Sequence, residues 1–449
     1  MARLRSLAGL AGAGTTAVAQ FAITLLITRA LPPAEAGAFF TTTALGLMLA
    51  GVLRLDTGNG LIYFRARQPD DPVAAPVVSQ AHRPDHERAT SGASIGQPSN
   101  IGARSIAHYV DGPAPKPMTA VDPDTKVSGN FGITVPRPLL RVALLPVVTG
   151  SLAAAVILSG TEPALAVVLP FVVIADVLVA ATRGTGEMRE TLLLSGLLQP
   201  AAQLLLVGGA LAAGLSAPWL IVAWGVPAVP VVVIAAVRLR RVETRISWRE
   251  FWAYTGPRSL GAALQAVFQR LDVVIVALLA GPAEAAFYVA ATRFKVVGQL
   301  IGQGLAQGVH AELVKKFADG EQEAARALHR RAARTQMALT WPFWVMYAIF
   351  APQILQVFGD GYAHAADVVV VLAITMMIAS ACGMVDVVMI ASGRTRASLG
   401  NIVAALATTV VLDLLLVPAY GAFGAALGWA GGVLVKNLLP LAQLARATA

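Results

Sequence analysis

The chain alternates long apolar stretches with short polar gaps, and twelve of the stretches approach or exceed the 20 or so residues that a helix needs to cross about 30 Å of hydrocarbon. Their limits fall at 8–31, 37–64, 139–160, 163–183, 191–214, 217–237, 257–280, 283–311, 335–357, 365–391, 397–418 and 421–444. The pattern predicts an all-α, polytopic membrane protein. The first stretch follows Arg3 and Arg5 and runs into Pro-Ala-Glu-Ala, as a secretory leader would. It is too long for a leader's apolar region and leads straight into a second span, so a retained helix is expected. Composition changes nothing in this picture: 56% of residues are hydrophobic, 13% are charged and the mean hydropathy is +0.68, whereas a soluble domain carries roughly twice that charge density.

The basic residues fall in every second gap. One set of gaps holds Arg3 and Arg5, Arg65 through Arg141, Arg183 and Arg189, Arg238 through Arg258, Lys315 through Arg334, Arg394 and Arg396, and finally Lys436 and Arg446. The other set, around Pro32-Pro33, Thr161-Glu162, Leu215-Ser216, Gly281-Pro282, Phe358-Gly-Asp-Gly and Ala419-Tyr420, holds only Arg29 at its border. The positive-inside rule then predicts a multi-pass protein of the inner (plasma) membrane with both termini in the cytoplasm and short outer loops. The net charge of +9 and a pI near 10 belong to this asymmetry and to anionic lipid, so nucleic acid is not an expected partner.

Residues 65–138 break the pattern. They are rich in Pro, Gly, Ser, Asp and His and show no helical or strand period, which predicts a disordered or loosely folded cytoplasmic insert. The expected organisation is therefore residues 1–64 as spans one and two, the insert at 65–138, residues 139–244 as spans three to six, and residues 245–449 as a second lobe of six spans. His82, His86 and His108 lie in the insert without a helix to align them, so no metal site is expected. The single cysteine, Cys382, sits in an apolar stretch and supports neither a disulfide framework nor a zinc site.

The halves repeat one another. Pro33-Ala-Glu-Ala-Gly-Ala-Phe-Phe, between spans one and two, matches Pro282-Ala-Glu-Ala-Ala-Phe-Tyr, between spans seven and eight. Ala223-Trp224-Gly225 in span six falls where Gly428-Trp429-Ala430 falls in span twelve. Six plus six helices of the same orientation form a parallel duplication about an axis along the membrane normal, with a substrate path expected between the lobes.

Charged groups within a span cost roughly 2.5–3.5 kcal/mol each near the bilayer centre, which predicts that they face an internal space. Span seven carries Gln265, Gln269 and Asp272 on one face with Arg270 beside them. Span eight carries Arg293, then Lys295, Gln299, Gln303 and Gln307 every four residues, with His310 at the end and glycines 298, 302, 304 and 308 alongside. Arg54 and Asp56 occur in span two, and Asp176, Asp386 and Asp413 each interrupt an apolar helix. Two readings fit. The cations form a cavity that attracts a phosphate or diphosphate, or they sit in internal pairs such as Arg270 with Asp272 and Arg54 with Asp56. Asp176, Asp386 and Asp413 read as structural pairing partners or ion-coupling groups.

Residues 245–254 read as an interfacial helix joining the halves, and 315–334 as a second helix at the cytoplasmic surface. Trp219, Trp248, Trp252 and Trp341 fall near membrane boundaries, where an amphipathic ring is comfortable. No phosphate-binding Gly-rich loop with Lys-Ser/Thr, no nucleophile elbow and no His-Glu-x-x-His occurs, and the outer loops are too small to house a catalytic site. A transporter without enzymatic activity or cofactor is the expectation.

Four stretches resemble bacterial polysaccharide-export and O-antigen-type flippases of the multidrug/oligosaccharidyl-lipid/polysaccharide exporter superfamily. They are Thr28-Arg-Ala-Leu-Pro-Pro-Ala-Glu-Ala-Gly-Ala-Phe, the run from Arg270-Leu-Asp to Phe287-Tyr288, Phe358-Gly-Asp-Gly-Tyr, and Leu412-Asp-Leu-Leu-Leu-Val-Pro-Ala-Tyr-Gly-Ala-Phe. The resemblance covers nearly the whole chain except the insert, where that family has a shorter link. It implies two six-helix lobes around a central cationic cavity that opens alternately to either side. It implies as substrate an undecaprenyl-diphosphate-linked oligosaccharide, moved from the cytoplasmic to the periplasmic leaflet for cell-surface polysaccharide export, with other polysaccharide-assembly proteins as partners. By position, Arg270, Arg293, Lys295 and Arg54, with Gln299 and Gln303, would bind substrate, and Asp272, Asp56, Asp413 and Asp386 would couple ions or form pairs. An ion-coupled drug or cation antiporter, or a non-transporting accessory subunit of a polysaccharide synthase, are the alternatives.

Overall fold

The computed structural model describes residues 2–66, 137–183, 188–239 and 245–446. These form twelve helical segments in two lobes, an all-α membrane architecture. In the first lobe α1 is Ala2–Ala30; α2 is Pro33–Leu53 continued by Thr57–Ala66; α3 is Leu139–Leu158; and α4 is Pro163–Arg183. Next, α5 runs from Met188–Thr191 through a π-helical Leu192–Leu198 into Gln199–Ala212, and α6 is Ala217–Gly225 with Ala228–Leu239. In the second lobe α7 is Trp248–Phe268 with Leu271–Leu279, and α8 is Pro282–Thr292 with Lys295–Ala318. Then α9 is Gln322–Ile349 with Ala351–Gln356, and α10 is Ala366–Cys382 with Val385–Ala391. The final helical stretch, Thr395–Arg446, folds at Gly421 (φ 55°, ψ −131°) into α11, residues 395–420, and α12, residues 422–446. Arg137–Pro138 pairs antiparallel with Arg245–Ile246, the one short strand pairing among the described residues. Most of the insert expected at 65–138 lies outside them.

Length and apolarity alone pass seven helices as membrane-crossing, or eight when the two parts of α7, bent by 45°, count as one. One of the seven is the double helix folded at Gly421. The test misses α1, α8 and α9, which carry arginines or lysines at an end or at a break.

Several spans are broken where the sequence reading drew them straight. Span two breaks at Arg54–Asp56, where Leu55 and Asp56 both take φ of 50°, a left-handed conformation that Asp tolerates better than Leu. The Asp56 carbonyl then accepts from the backbone N–H groups of Asn59 and Gly60, restarting the helix. The interfacial helix expected at 245–254 is instead the first part of α7. Ser247 accepts from the Glu250 N–H at 3.2 Å, half of a capping box in Ser-Trp-Arg-Glu, so the helix begins before Pro257 and runs through it. Likewise 315–334 is no separate surface helix. It is the hairpin end of α8 and α9, turned at Asp319–Glu321 and fastened by Lys316 to Glu321 at 3.4 Å.

The repeated motifs do structural work that their chemistry explains. Pro33 and Pro282 both open helices at the first turn, where the missing N–H costs nothing. The helices they open, α2 and α8, pack against each other across the lobes. Gly37 of the first motif approaches Pro282 of the second so closely that a Cβ there would lie 1.6 Å from the Pro282 carbonyl oxygen. Glu284 of the second motif accepts from the Ala422 N–H at 2.8 Å, placing a carboxylate at the positive start of α12 just past the Gly421 fold. In the first lobe α1 meets α5 through Gly12 and Gly196, and Thr15 donates to the Gly196 carbonyl that the π-helical turn presents.

Gly37→Ala is expected to lower the unfolding free energy by about 1–3 kcal/mol, the range for forcing a methyl into packed structure. Gly209→Ala, where a Cβ meets nothing within 4 Å, serves as the neutral control. Thermal unfolding of the detergent-solubilised protein measures the difference.

Candidate substrate cavity

Between the lobes lies a cavity of about 1000 Å³. It runs from mid-span toward the end that carries the basic gaps, with walls from α1, α2 and α5 on one side and α7, α8, α9, α10 and α12 on the other. Trp224 and Trp429, the equivalent tryptophans of the two halves, both line it. The end with short loops is closed. Phe21 of α1 packs edge-on against Phe294 and Phe358 with ring centroids 5.3 and 5.5 Å apart. Arg29 donates to the Val357 and Gln356 carbonyls at 2.7 and 3.2 Å, tying the end of α1 to the end of α9. Across the α2–α7 seam the lobes are also joined toward the basic end. Arg258 meets Asp56 at 3.1 Å, Ser259 donates to the Leu55 carbonyl, and Tyr63 stacks on Tyr254 at 4.0 Å.

Breaks in the helices carry the charge into the cavity. Arg270 sits at the break of α7, and Arg293 and Lys295 flank that of α8; all three line the cavity with Gln265, Gln269 and Gln303. Counting 1.5 Å per helical residue from the short-loop ends puts Arg270 and Arg293 both about 15 Å deep, near mid-membrane. The glycines of α8 bring its neighbours close: Gly298 faces Trp344 and Met376, and Gly302 faces Gln336. The side chains of Gln299 and Gln307 lie outside the described residues.

The ion pairs differ from the near-neighbour ones the sequence suggests. Asp272, 1% exposed, forms no salt bridge with Arg270 among the described residues. It accepts from the Tyr288 hydroxyl at 2.7 Å and its own Val273 N–H at 2.9 Å, and pairs with Lys295 at 3.7 Å. A helix places i and i+2 on different faces, and the break at Arg270 turns them further apart. Asp56 accepts from Asn59 at 2.7 Å and takes Arg258 as its cation, whereas Arg54 is exposed at the break of α2, outside the cavity lining. Asp386, in the cavity wall, pairs with Lys436 at 3.5 Å. Asp413 is fully buried, and neither carboxylate oxygen has a hydrogen-bond partner among the described residues.

With Lys295 and Lys436 matched by carboxylates, Arg270 and Arg293 form no salt bridge among the described residues. The Arg293 guanidinium lies 5.6 Å over the Phe40 ring, and its Nε is buried without a partner. Arg183, from the end of α4, adds a further cation, so the cavity presents five basic side chains against one acidic. Arg183, Lys436 and Gln336 were not singled out as site residues from the sequence. The first two read as topology charges at span ends, and the third became visible only through its approach to Gly302.

No protein-family model and no curated protein sequence matches the chain. Solved structures do match in fold. An inward-facing multidrug resistance MATE family transporter of the MOP superfamily superposes with a TM-score of 0.65 at 12% identity, covering 96% of this chain and 95% of that one. A MOP superfamily transporter from Pyrococcus furiosus, described as having a binding pocket of reverse polarity, gives 0.58 at 14% identity over 98% and 94%. The lipid II flippase MurJ in an inward closed conformation gives 0.54 at 11% identity over 68% of each chain. The chain shares the overall fold of these structures.

Lys295→Met strands Asp272 in the interior and is expected to cost about 3–5 kcal/mol, as for a buried pair broken from one side. Adding Asp272→Asn removes the stranded charge and is expected to restore most of the loss. Thermal unfolding of the single and double variants tests the pairing.

Proposed function

We propose that the chain is a flippase that carries an undecaprenyl-diphosphate-linked oligosaccharide between leaflets by alternating access, for export of a cell-surface polysaccharide. The observation that carries this reading is the pair of guanidinium groups at Arg270 and Arg293, level with each other in one cavity and without a salt bridge among the described residues. Guanidinium offers a planar fork of donors that suits phosphate oxygens, and a diphosphate supplies the negative charge this space lacks. A lipid tail remains in the bilayer while the headgroup occupies the cavity. Amides that line the cavity offer hydrogen bonds to the sugars.

The same polarity argues against the drug or cation antiporter. A cationic drug needs a carboxylate to meet it, and Asp386, the one acid in the cavity wall among the described residues, already holds Lys436. That one of the structural neighbours is a lipid II flippase agrees with a lipid-linked substrate. In this reading the basic end faces the cytoplasm of a cell with an inner membrane, and the headgroup enters from that side.

The test uses protein reconstituted in vesicles with an undecaprenyl-diphosphate oligosaccharide and a probe that reaches only the outer leaflet. Arg270→Ala and Arg293→Ala are each expected to slow translocation at least tenfold while the protein inserts and remains monodisperse. Wild-type rates in both variants would remove the phosphate role.

A further inference from the structure

The cavity is chemically lopsided. Of its charged side chains, Arg270, Arg293, Lys295, Asp386 and Lys436 come from the second lobe and only Arg183 from the first, at the basic mouth. The wall contributed by α1, α2, α5 and α6 is otherwise neutral. It combines the amide of Gln20 with the hydroxyls of Thr16 and Ser195 and the rings of Phe21, Phe40 and Trp224.

Gln20 is the oriented group of this wall. Its Nε2 donates to Gln203 Oε1 at 3.3 Å, and Gln203, 5% exposed, is itself fixed by donating to the Trp224 carbonyl at 3.0 Å. That chain leaves Gln20 with a carbonyl oxygen and a second N–H for the cavity. An amide with one free donor and one free acceptor matches a vicinal pair of hydroxyls. Thr16 and Ser195 donate back to the Gly12 and Thr191 carbonyls at 2.9 Å each, so their oxygens face the cavity as acceptors. Counted from the short-loop end of α1, Gln20 is about 15 Å deep, level with Arg270 and Arg293 on the opposite wall.

Resting on the reading of the cavity as a headgroup site, we propose that the two lobes divide the headgroup. The second lobe holds the diphosphate, and the first lobe is a saccharide subsite in which Gln20, held by Gln203, reads sugar hydroxyls beside the aromatic rings. A polyprenyl diphosphate without sugar therefore uses one wall only. Binding energy from the first lobe appears when the sugar is attached.

Binding of two probes to the full-length protein in nanodiscs separates the walls: undecaprenyl diphosphate, and the same lipid carrying an oligosaccharide. Gln20→Leu is expected to weaken the glycosylated lipid about tenfold and leave the bare diphosphate within twofold. Gln203→Leu, which frees Gln20 to rotate, is expected to act in the same direction with a smaller effect, and Arg293→Gln is expected to weaken both lipids. Equal loss for both lipids in Gln20→Leu, or no loss for either, overturns the division. Failure of Arg293→Gln to weaken either lipid overturns the headgroup reading itself, while a Gln20 effect on the glycosylated lipid would still stand. Thermal unfolding confirms that Gln20→Leu is folded, and Gln20→Asn, with a shorter amide, gives a second variant should the leucine not fold.

Discussion

A guanidinium at mid-membrane requires either a counter-charge or a polar space to face, and this architecture supplies a cavity between the lobes. Arg270 and Arg293 stand where helices α7 and α8 break, and each break turns a side chain that would meet lipid or a neighbouring helix toward the space between the lobes. The breaks need that space, because freed backbone groups are tolerated in a membrane only where protein or a wet cavity receives them. The close contact of α2 with α8 at Gly37 and Pro282 holds the lobes together at one end.

The two halves use their shared sequence differently. Equivalent prolines open equivalent helices, and equivalent tryptophans face the same cavity. The second half carries more charge: Arg293 and Lys295 in α8 correspond to no charge in α2, whose own break at Arg54–Asp56 sits nearer the basic end and is fastened to α7 by Arg258.

Much of this was legible from the chain. Apolar length and the alternation of basic gaps gave the twelve helical segments, and the twin Pro-Ala-Glu-Ala motifs gave the two lobes, because both signals are local and periodic. The membership of Arg270, Arg293, Lys295 and Gln303 in one cavity was likewise foreseeable from their placement within spans. Pairing was not. Nearness in sequence suggested Arg270 with Asp272 and Arg54 with Asp56, but residues two apart on a helix diverge, and the actual partners, Lys295 and Arg258, come from a helix break and from the other lobe. The capping box at Ser247 is present in the sequence, but the apolar run starts only at 257, so the polar first turns of α7 read as a separate interfacial helix. Gln20 and Gln203 lie 183 residues apart and carry no motif, so only the fold brings them together.

Arg29 closes the short-loop end by donating to the carbonyls of Gln356 and Val357, neutral dipoles left over where α9 finishes. Were that end to part, no anion would be stranded in a dry interior, since water can take the place of both hydrogen bonds. Exchanges of this kind change free energy by about 1.5–3 kcal/mol per charged bond at most. A closure built this way is reversible on thermal energies and largely indifferent to ionic strength, unlike one fastened by opposite charges.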